Sequence, residues 1–162
     1  MVSFGHVLLF FFEHFYMAWK PGVTVAAVIE RNNTFLMVEE LIDGQRVINQ
    51  PAGRLNDNES FVEAVIREVR EETAWTFQPD ALTGIYRWQH PKKKHTYIRT
   101  TFVGSVTDHD PDQALDKPVL RTDWFTRDQL RQKDNLRSPM VLRCIDDYLS
   151  GQRHPLELLQ NV

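Results

Sequence analysis

Cysteine is almost missing from this chain: Cys144 stands alone among 162 residues. No internal disulfide is possible, and the expectation is a protein that works in a reducing cytoplasm. A nucleophilic thiol would need a depressed pKa, for which the sequence makes no case, so Cys144 reads as a small core residue of an amphipathic stretch. An excess of positive charge is missing too. A net charge of −3 leaves no electrostatic footprint for nucleic acid and argues against duplex binding. Long apolar runs are also lacking. The stretch Val7-Leu8-Leu9-Phe10-Phe11-Phe12 is closed by Glu13 and His14, far short of the roughly 20 apolar residues that span a bilayer. It has no Lys or Arg before it and no small-residue cleavage site after it, so it does not read as a secretory signal, and no membrane partner is expected.

What is present is ordinary for a globular protein, with 42% hydrophobic and 25% charged residues. The length suits one domain with a full core. Residues 1–16 read as an extension outside that domain, with Met17 an alternative start and the domain spanning 17–162. The competing reading is a segment that docks on its own domain, or on a second copy, through its aromatics. A monomer or a small homo-oligomer is expected.

Residues 22–30 and 34–40 are β-branched and apolar runs joined at Asn32-Asn33, the pattern of a hairpin. Asp43-Gly44 marks a second tight turn, and a strand pattern resumes over 46–49 before Pro51. A helix is predicted over 59–73 with Asn58 as its N-cap. Strands are predicted over 82–89 and 97–106, on either side of a polar connection carrying Lys92-Lys93-Lys94. An Asp-rich loop over 107–117 leads to a strand over 119–125. Thr126 with Gln129 forms a capping box for a short helix. Ser138 and Pro139, at N-cap and N1, open a last helix to Ser150, with Gly151 as its stop. There are no repeats or low-complexity tracts. This order predicts an α/β fold, an α/β/α sandwich around a mixed sheet.

The predicted middle helix carries the chemistry. Glu68, Glu71 and Glu72 stand at i, i+3 and i+4, so one face holds all three carboxylates, and like charges at that spacing repel by roughly 0.2–0.5 kcal/mol per pair. At about 100° per residue, Phe61, Val62, Val65, Ile66 and Val69 form an apolar stripe. Glu68 and Glu72 fall at its edge, Glu71 just beyond, and Glu63, Arg67 and Arg70 point away. Carboxylates at a buried edge need positive charge. Arg67, four residues before Glu71, supplies part of it. A hard cation such as Mg²⁺ or Mn²⁺ would supply the rest, since clustered oxygen ligands on a rigid element are what such ions bind. A solvated charged face is the bland alternative, and the uneven spread of charge speaks against it.

Gly53, then Glu59, then Arg67-Glu68-Val69-x-Glu71-Glu72 resembles the Nudix box, the metal-binding loop-helix-loop of nucleoside-diphosphate-X hydrolases. One position departs: Ala74 stands where the family usually has the glycine that ends the helix, with Trp75 after it. Further stretches resemble a bacterial phosphatase branch of the family, among them Lys20-Pro21-Gly22-Val23-Thr24-Val25-Ala26, Gln50-Pro51-Ala52-Gly53, Asn135-Leu136-Arg137-Ser138-Pro139 and Ser150-Gly151-Gln152-Arg153.

The resemblance implies the Nudix fold and hydrolysis of small-molecule di- and triphosphates with Mg²⁺, or Mn²⁺, held by Glu68, Glu71, Glu72 and the Gly53 carbonyl. Arg67 would position the glutamates, and Glu59 would stabilise the loop and helix start. For the phosphatase branch it implies release of orthophosphate from nucleoside tri- and diphosphates, and from thiamin diphosphate and hydroxymethylpyrimidine diphosphate. Glu68, Glu72, Glu39, Glu40 and Asp116 are all candidates for the general base. Tyr86, Trp88 and Tyr97 are candidates to stack a base, though core packing is the commoner use of such rings. Arg99 is a candidate to hold phosphate, and the three lysines read as a solvated loop. Another Nudix specificity (ADP-ribose, diadenosine polyphosphates or oxidised nucleotides) and a Nudix domain used only as a sensor are the competing readings.

Overall fold

The computed structural model describes residues 19–162; the proposed extension over 1–16, and Met17, lie outside the described residues. Strand β1 (Gly22–Arg31) turns through Asn32-Asn33 into β2 (Thr34–Ile42). Both asparagines hold positive φ, 53° and 61°, as a two-residue hairpin of this twist requires. The two strands pair only at that end, Glu30 with Phe35 and Arg31 with Thr34. Beyond it they diverge and take other neighbours.

On one edge β1 takes β6 (Thr96–Thr107) as a parallel partner, and on the other the short β4 (Ala52–Arg54) as an antiparallel one. Strand β2 lies between β3 (Gln45–Asn49) and β7 (Val119–Phe125). Strand β5 (Thr76–Gln89) closes the sheet outside β6. The seven-stranded sheet is thus mixed, with a seam opening between β1 and β2.

Helix α1 (Phe61–Thr73) covers one face, where Ala64, Val65 and Val69 meet Val25, Ala27 and Phe102. Helices α2 (Arg127–Arg131) and α3 (Met140–Leu149) cover the other, where Leu130, Val141 and Ile145 meet Val28 and Val103. Each large apolar side chain so buried contributes about 1.5–3 kcal/mol, so the two faces hold the sheet as a layer. The α/β/α sandwich stands as expected. Cys144 is fully buried, and burial pushes its thiol pKa up, the behaviour of a core residue. No described helix is long and apolar enough to cross a membrane.

Three expectations about element ends are corrected. Helix α1 starts at Phe61 with Ser60 as N-cap, not at Glu59 with Asn58; the Ser60 side chain accepts from Glu63 N–H and Glu63 returns the bond, a complete capping box. Asn58 instead sits in the preceding turn with φ 65°. Helix α3 starts at Met140 with Pro139 in the cap position, and Ser138 Oγ makes no cap bond. Strand β5 begins at Thr76, six residues before the expected Leu82, in spite of Pro79. Proline lacks a ladder donor but is tolerated on an edge strand, and the register shifts beside it.

Candidate functional site

Strand β4 and helix α1 meet without room for a side chain at Gly53. A Cβ placed there would lie 2.0 Å from the Glu68 carboxyl carbon and 2.1 Å from its oxygens. Close approach of backbone to carboxylate is what glycine permits. One residue earlier, Ala52 donates its N–H to Glu72 Oε2 at 2.8 Å. The antiparallel pairing of β4 with β1, Val25 opposite Gly53, holds this loop against the helix.

Arg67 ties the carboxylates together. Its Nε and Nη2 donate to Glu59 at 2.9 and 2.7 Å, and its Nη1 donates to Glu68 at 2.8 Å and Glu71 at 3.0 Å. Nη2 also reaches the Arg54 carbonyl at 3.1 Å. A planar guanidinium with five donors suits this task, and a lysine does not. Glu59 in turn accepts from Asn56 N–H at 2.6 Å, which anchors the loop ahead of the helix.

The electrostatics are those of crowded acids. Burial raises Glu68 above its ordinary value of 4.5, against the pull of Arg67, with Glu71 and Asp116 adding repulsion. Glu72 is pushed well above 4.5, first by burial and then by Glu40, Glu68 and Asp116, while the Ala52 N–H opposes the shift. Glu40 is also raised by burial, with Arg137, Asn49 and Arg99 holding it back. Glu71 keeps a half-exposed side chain.

Glu68 and Glu71 turn toward Arg67, and Glu72 toward Ala52. As arranged, no three His, Cys, Asp or Glu groups among the described residues converge on one point as ligands. The donor set nevertheless fits a hard divalent cation: all its atoms are oxygens, and the carboxylates repel one another.

Past Gly53 the seam opens into a cavity of about 180 Å³. Trp88 and Tyr97 line it as a stacked pair, ring centroids 5.8 Å apart and planes 22° from parallel. Arg99, 6% exposed, reaches it from β6, and burial lowers its pKa. All three residues expected to meet substrate thus share one cavity, which Gly53 also lines. Tyr86 does not join them; its hydroxyl donates to Asp147 on α3 at 2.9 Å. Glu39, another candidate base, does not line the cavity and pairs with Arg121 and Arg46 at 2.7 and 3.1 Å. Of the three lysines, Lys93 pairs with Asp43 at 2.7 Å and both stay exposed.

Asn49, Arg137 and Ser138 also line the cavity and were not expected there. Ser138 read as a cap from its place before Pro139. A parallel bridge between Ile48 and Leu136, with Ile48 N–H donating to the Asn135 carbonyl and Arg137 N–H to the Ile48 carbonyl, brings 49 and 138 together, and a linear pattern carries no signal for that.

The sequence profile of the NUDIX domain matches residues 20–143. The chain is 40% identical over 141 residues to the phosphatase NudJ of Escherichia coli, covering 87% of this chain and 92% of that protein. A NUDIX hydrolase structure from Nitrosomonas europaea superposes with a TM-score of 0.86 at 48% identity, covering 88% of this chain and 98% of the other. The MutT protein of Methanosarcina mazei Go1 superposes at 0.66 with 23% identity, covering 83% and 98%, a likeness of fold alone.

Proposed function

This chain belongs to the Nudix hydrolase family, and from that premise we propose that it is a magnesium-dependent phosphatase of small di- and triphosphates. That it hydrolyses phosphoanhydrides follows from the family and from its likeness to NudJ. The proposal adds the product, the substrates and the residues. The product is orthophosphate. The substrates are nucleoside tri- and diphosphates, together with thiamin diphosphate and hydroxymethylpyrimidine diphosphate. Identity to a phosphatase over most of both chains supports the product.

Glu68, Glu71, Glu72 and the Gly53 carbonyl would hold Mg²⁺, or Mn²⁺. The observation that carries this assignment is the buried pair Glu68 and Glu72, destabilised as carboxylates by burial and by neighbouring acids. Crowded buried charges of one sign are kept when a hard cation shares them. When bound, the cation neutralises charge on the diphosphate and acidifies water. The chain's own residues do the placing. Arg67 orients Glu68 and Glu71, the Ala52 N–H fixes Glu72, and Gly53 leaves the space the carboxylates need. Glu40, Glu68 and Asp116 all act electrostatically on Glu72, and these four are the candidates to take a proton from water. Trp88 and Tyr97 would stack the substrate's ring and Arg99 would contact it from the cavity wall. A buried lone cysteine is in keeping with work in a reducing cytoplasm.

A panel of these diphosphates and triphosphates, with products identified in Mg²⁺ and in chelator, tests the reading. Orthophosphate released with Mg²⁺ and not with chelator is the expected result. Pyrophosphate or a nucleoside monophosphate as first product would move the chain to another Nudix specificity, and binding without turnover would make it a sensor.

A further inference from the structure

The cavity beside the carboxylates holds polar atoms that the fold leaves unsatisfied. Among the described residues, five buried side-chain atoms find no hydrogen-bond partner: Glu40 Oε2, Asn49 Oδ1, His95 Nε2, Arg99 Nε and Ser138 Oγ. All but the histidine atom belong to side chains lining this one cavity. Glu40, Asn49, Arg99 and Ser138 are only 6%, 4%, 6% and 5% exposed. An unsatisfied buried group costs about 1–3 kcal/mol, so four gathered at one place point to a molecule that satisfies them.

The four atoms differ in what they require. Arg99 Nε can only donate, Asn49 Oδ1 can only accept, an ionised Glu40 Oε2 can only accept, and the Ser138 hydroxyl can do either. They also lie close together. The Asn49 amide lowers the Glu40 pKa as a hydrogen-bond donor and Arg99 lowers it by its charge, and Asn49 sits on the same face of the β2–β3 pair as Glu40, since Asn49 lies opposite Val38 and Val47 opposite Glu40. A phosphate oxygen would suit Arg99 but would set lone pair against lone pair at Asn49 and Glu40. The occupant must offer donors and an acceptor side by side. An exocyclic amine next to a ring nitrogen does so, as in cytosine, adenine and aminopyrimidines. Trp88 and Tyr97 add flat apolar surface at the same cavity, which suits a ring.

We propose that this cavity reads the amino-bearing edge of the substrate's heterocycle, with Glu40 and Asn49 accepting from the amine and Arg99 donating to the adjacent ring nitrogen. This deepens the phosphatase reading and rests on it. It moves Arg99 from the phosphates to the ring, takes Glu40 out of the candidate bases, and selects amino over oxo heterocycles.

Cytidine and uridine diphosphates match in size and charge and differ at that edge. So do hydroxymethylpyrimidine diphosphate and its oxo analogue. Orthophosphate release should favour the amino member of each pair by about tenfold or more in kcat/KM, because an oxo group leaves the buried acceptors unpaired. Glu40→Gln should bring the ratio to within about threefold, since its amide can turn a donor to the oxo group. Equal rates on both members, with orthophosphate still released, overturn the inference and leave the phosphatase reading intact. Absence of orthophosphate from every member overturns the phosphatase reading, and calorimetry then decides the cavity separately. In chelator, cytidine should bind the wild-type protein about tenfold tighter than uridine; equal binding sinks the amino-edge assignment.

Discussion

Arg67 spends one guanidinium on three carboxylates and a backbone carbonyl. Arg67→Lys keeps the charge but not the fork, so Glu68 and Glu71 lose a common partner. Charged hydrogen bonds of this kind contribute about 1.5–3 kcal/mol, and we expect a loss of about 2 kcal/mol in stability with a fall in kcat of tenfold or more. Chemical denaturation and steady-state kinetics on the same preparation check both. Glu72→Gln separates the two effects. Its amide oxygen can still accept from Ala52, and it removes a buried charge that Glu40, Glu68 and Asp116 repel. The cation-free variant should therefore melt no lower than wild type at neutral pH, while turnover falls by about a hundredfold or more. Near-normal rates in this variant would contradict the ligand assignment. At this scale the acids at the helix edge were legible, because i, i+3 and i+4 spacing fixes a face whatever surrounds it. Glu40 was legible only as an acid, and Asn49 not at all, because which side chains of β2, β3 and β6 line one cavity is set by strand pairing and leaves no local period.

The helix-and-loop element turns on two small residues. At Gly53 a methyl group would collide with the Glu68 carboxyl group at 2.0 Å. Gly53→Ala should displace that side chain and lower kcat by about a hundredfold, with far-UV circular dichroism unchanged. At Ala74, the residue that departs from the family pattern, φ is 59° and the N–H donates to the Arg70 carbonyl at 3.0 Å. A left-handed alanine costs about 1–2 kcal/mol, and its buried methyl recovers about 0.8 kcal/mol. Ala74→Gly should therefore shift stability by no more than about 1 kcal/mol, read from the denaturation midpoint. The left-handed exit of α1 was legible from the position, and so was the Thr126–Gln129 box. The start of α1 was misread because Asn58 is an acceptable cap by type, while Ser60 with Glu63 is better by reciprocity. Strand β5 was expected only from Leu82 and runs from Thr76 through Pro79, because edge position, which makes proline tolerable, is a property of the assembled sheet.

For the whole molecule the acidic cluster sets a pH response. Glu40, Glu68 and Glu72 have folded-state pKa values above their ordinary 4.5. The folded chain therefore binds more protons than the unfolded one between those values. Their stabilising contribution is complete below about 4.5 and is lost as pH rises through the folded-state values. Glu39 and Glu59, lowered by Arg121 and Arg67, act oppositely and lose their contribution as pH falls below about 4.5. In chelator the melting temperature should thus decline from about pH 5 toward pH 8. Magnesium at a hundred times its Kd should return about 2.7 kcal/mol. A flat melting curve across that range, unmoved by magnesium, would remove the case for cation binding. Deleting residues 1–16 should leave kcat/KM unchanged if the folded domain starts near Met17.

β1 and β2 share backbone bonds only beside Asn32-Asn33, so the two halves of the sheet stand like book covers joined at the top of the spine. A molecule lodged between the pages ties the covers together lower down. Amide exchange on β3 and β4, the strands that border the gap, should slow when nucleotide is added. The hairpin end, already fastened, should keep its pace.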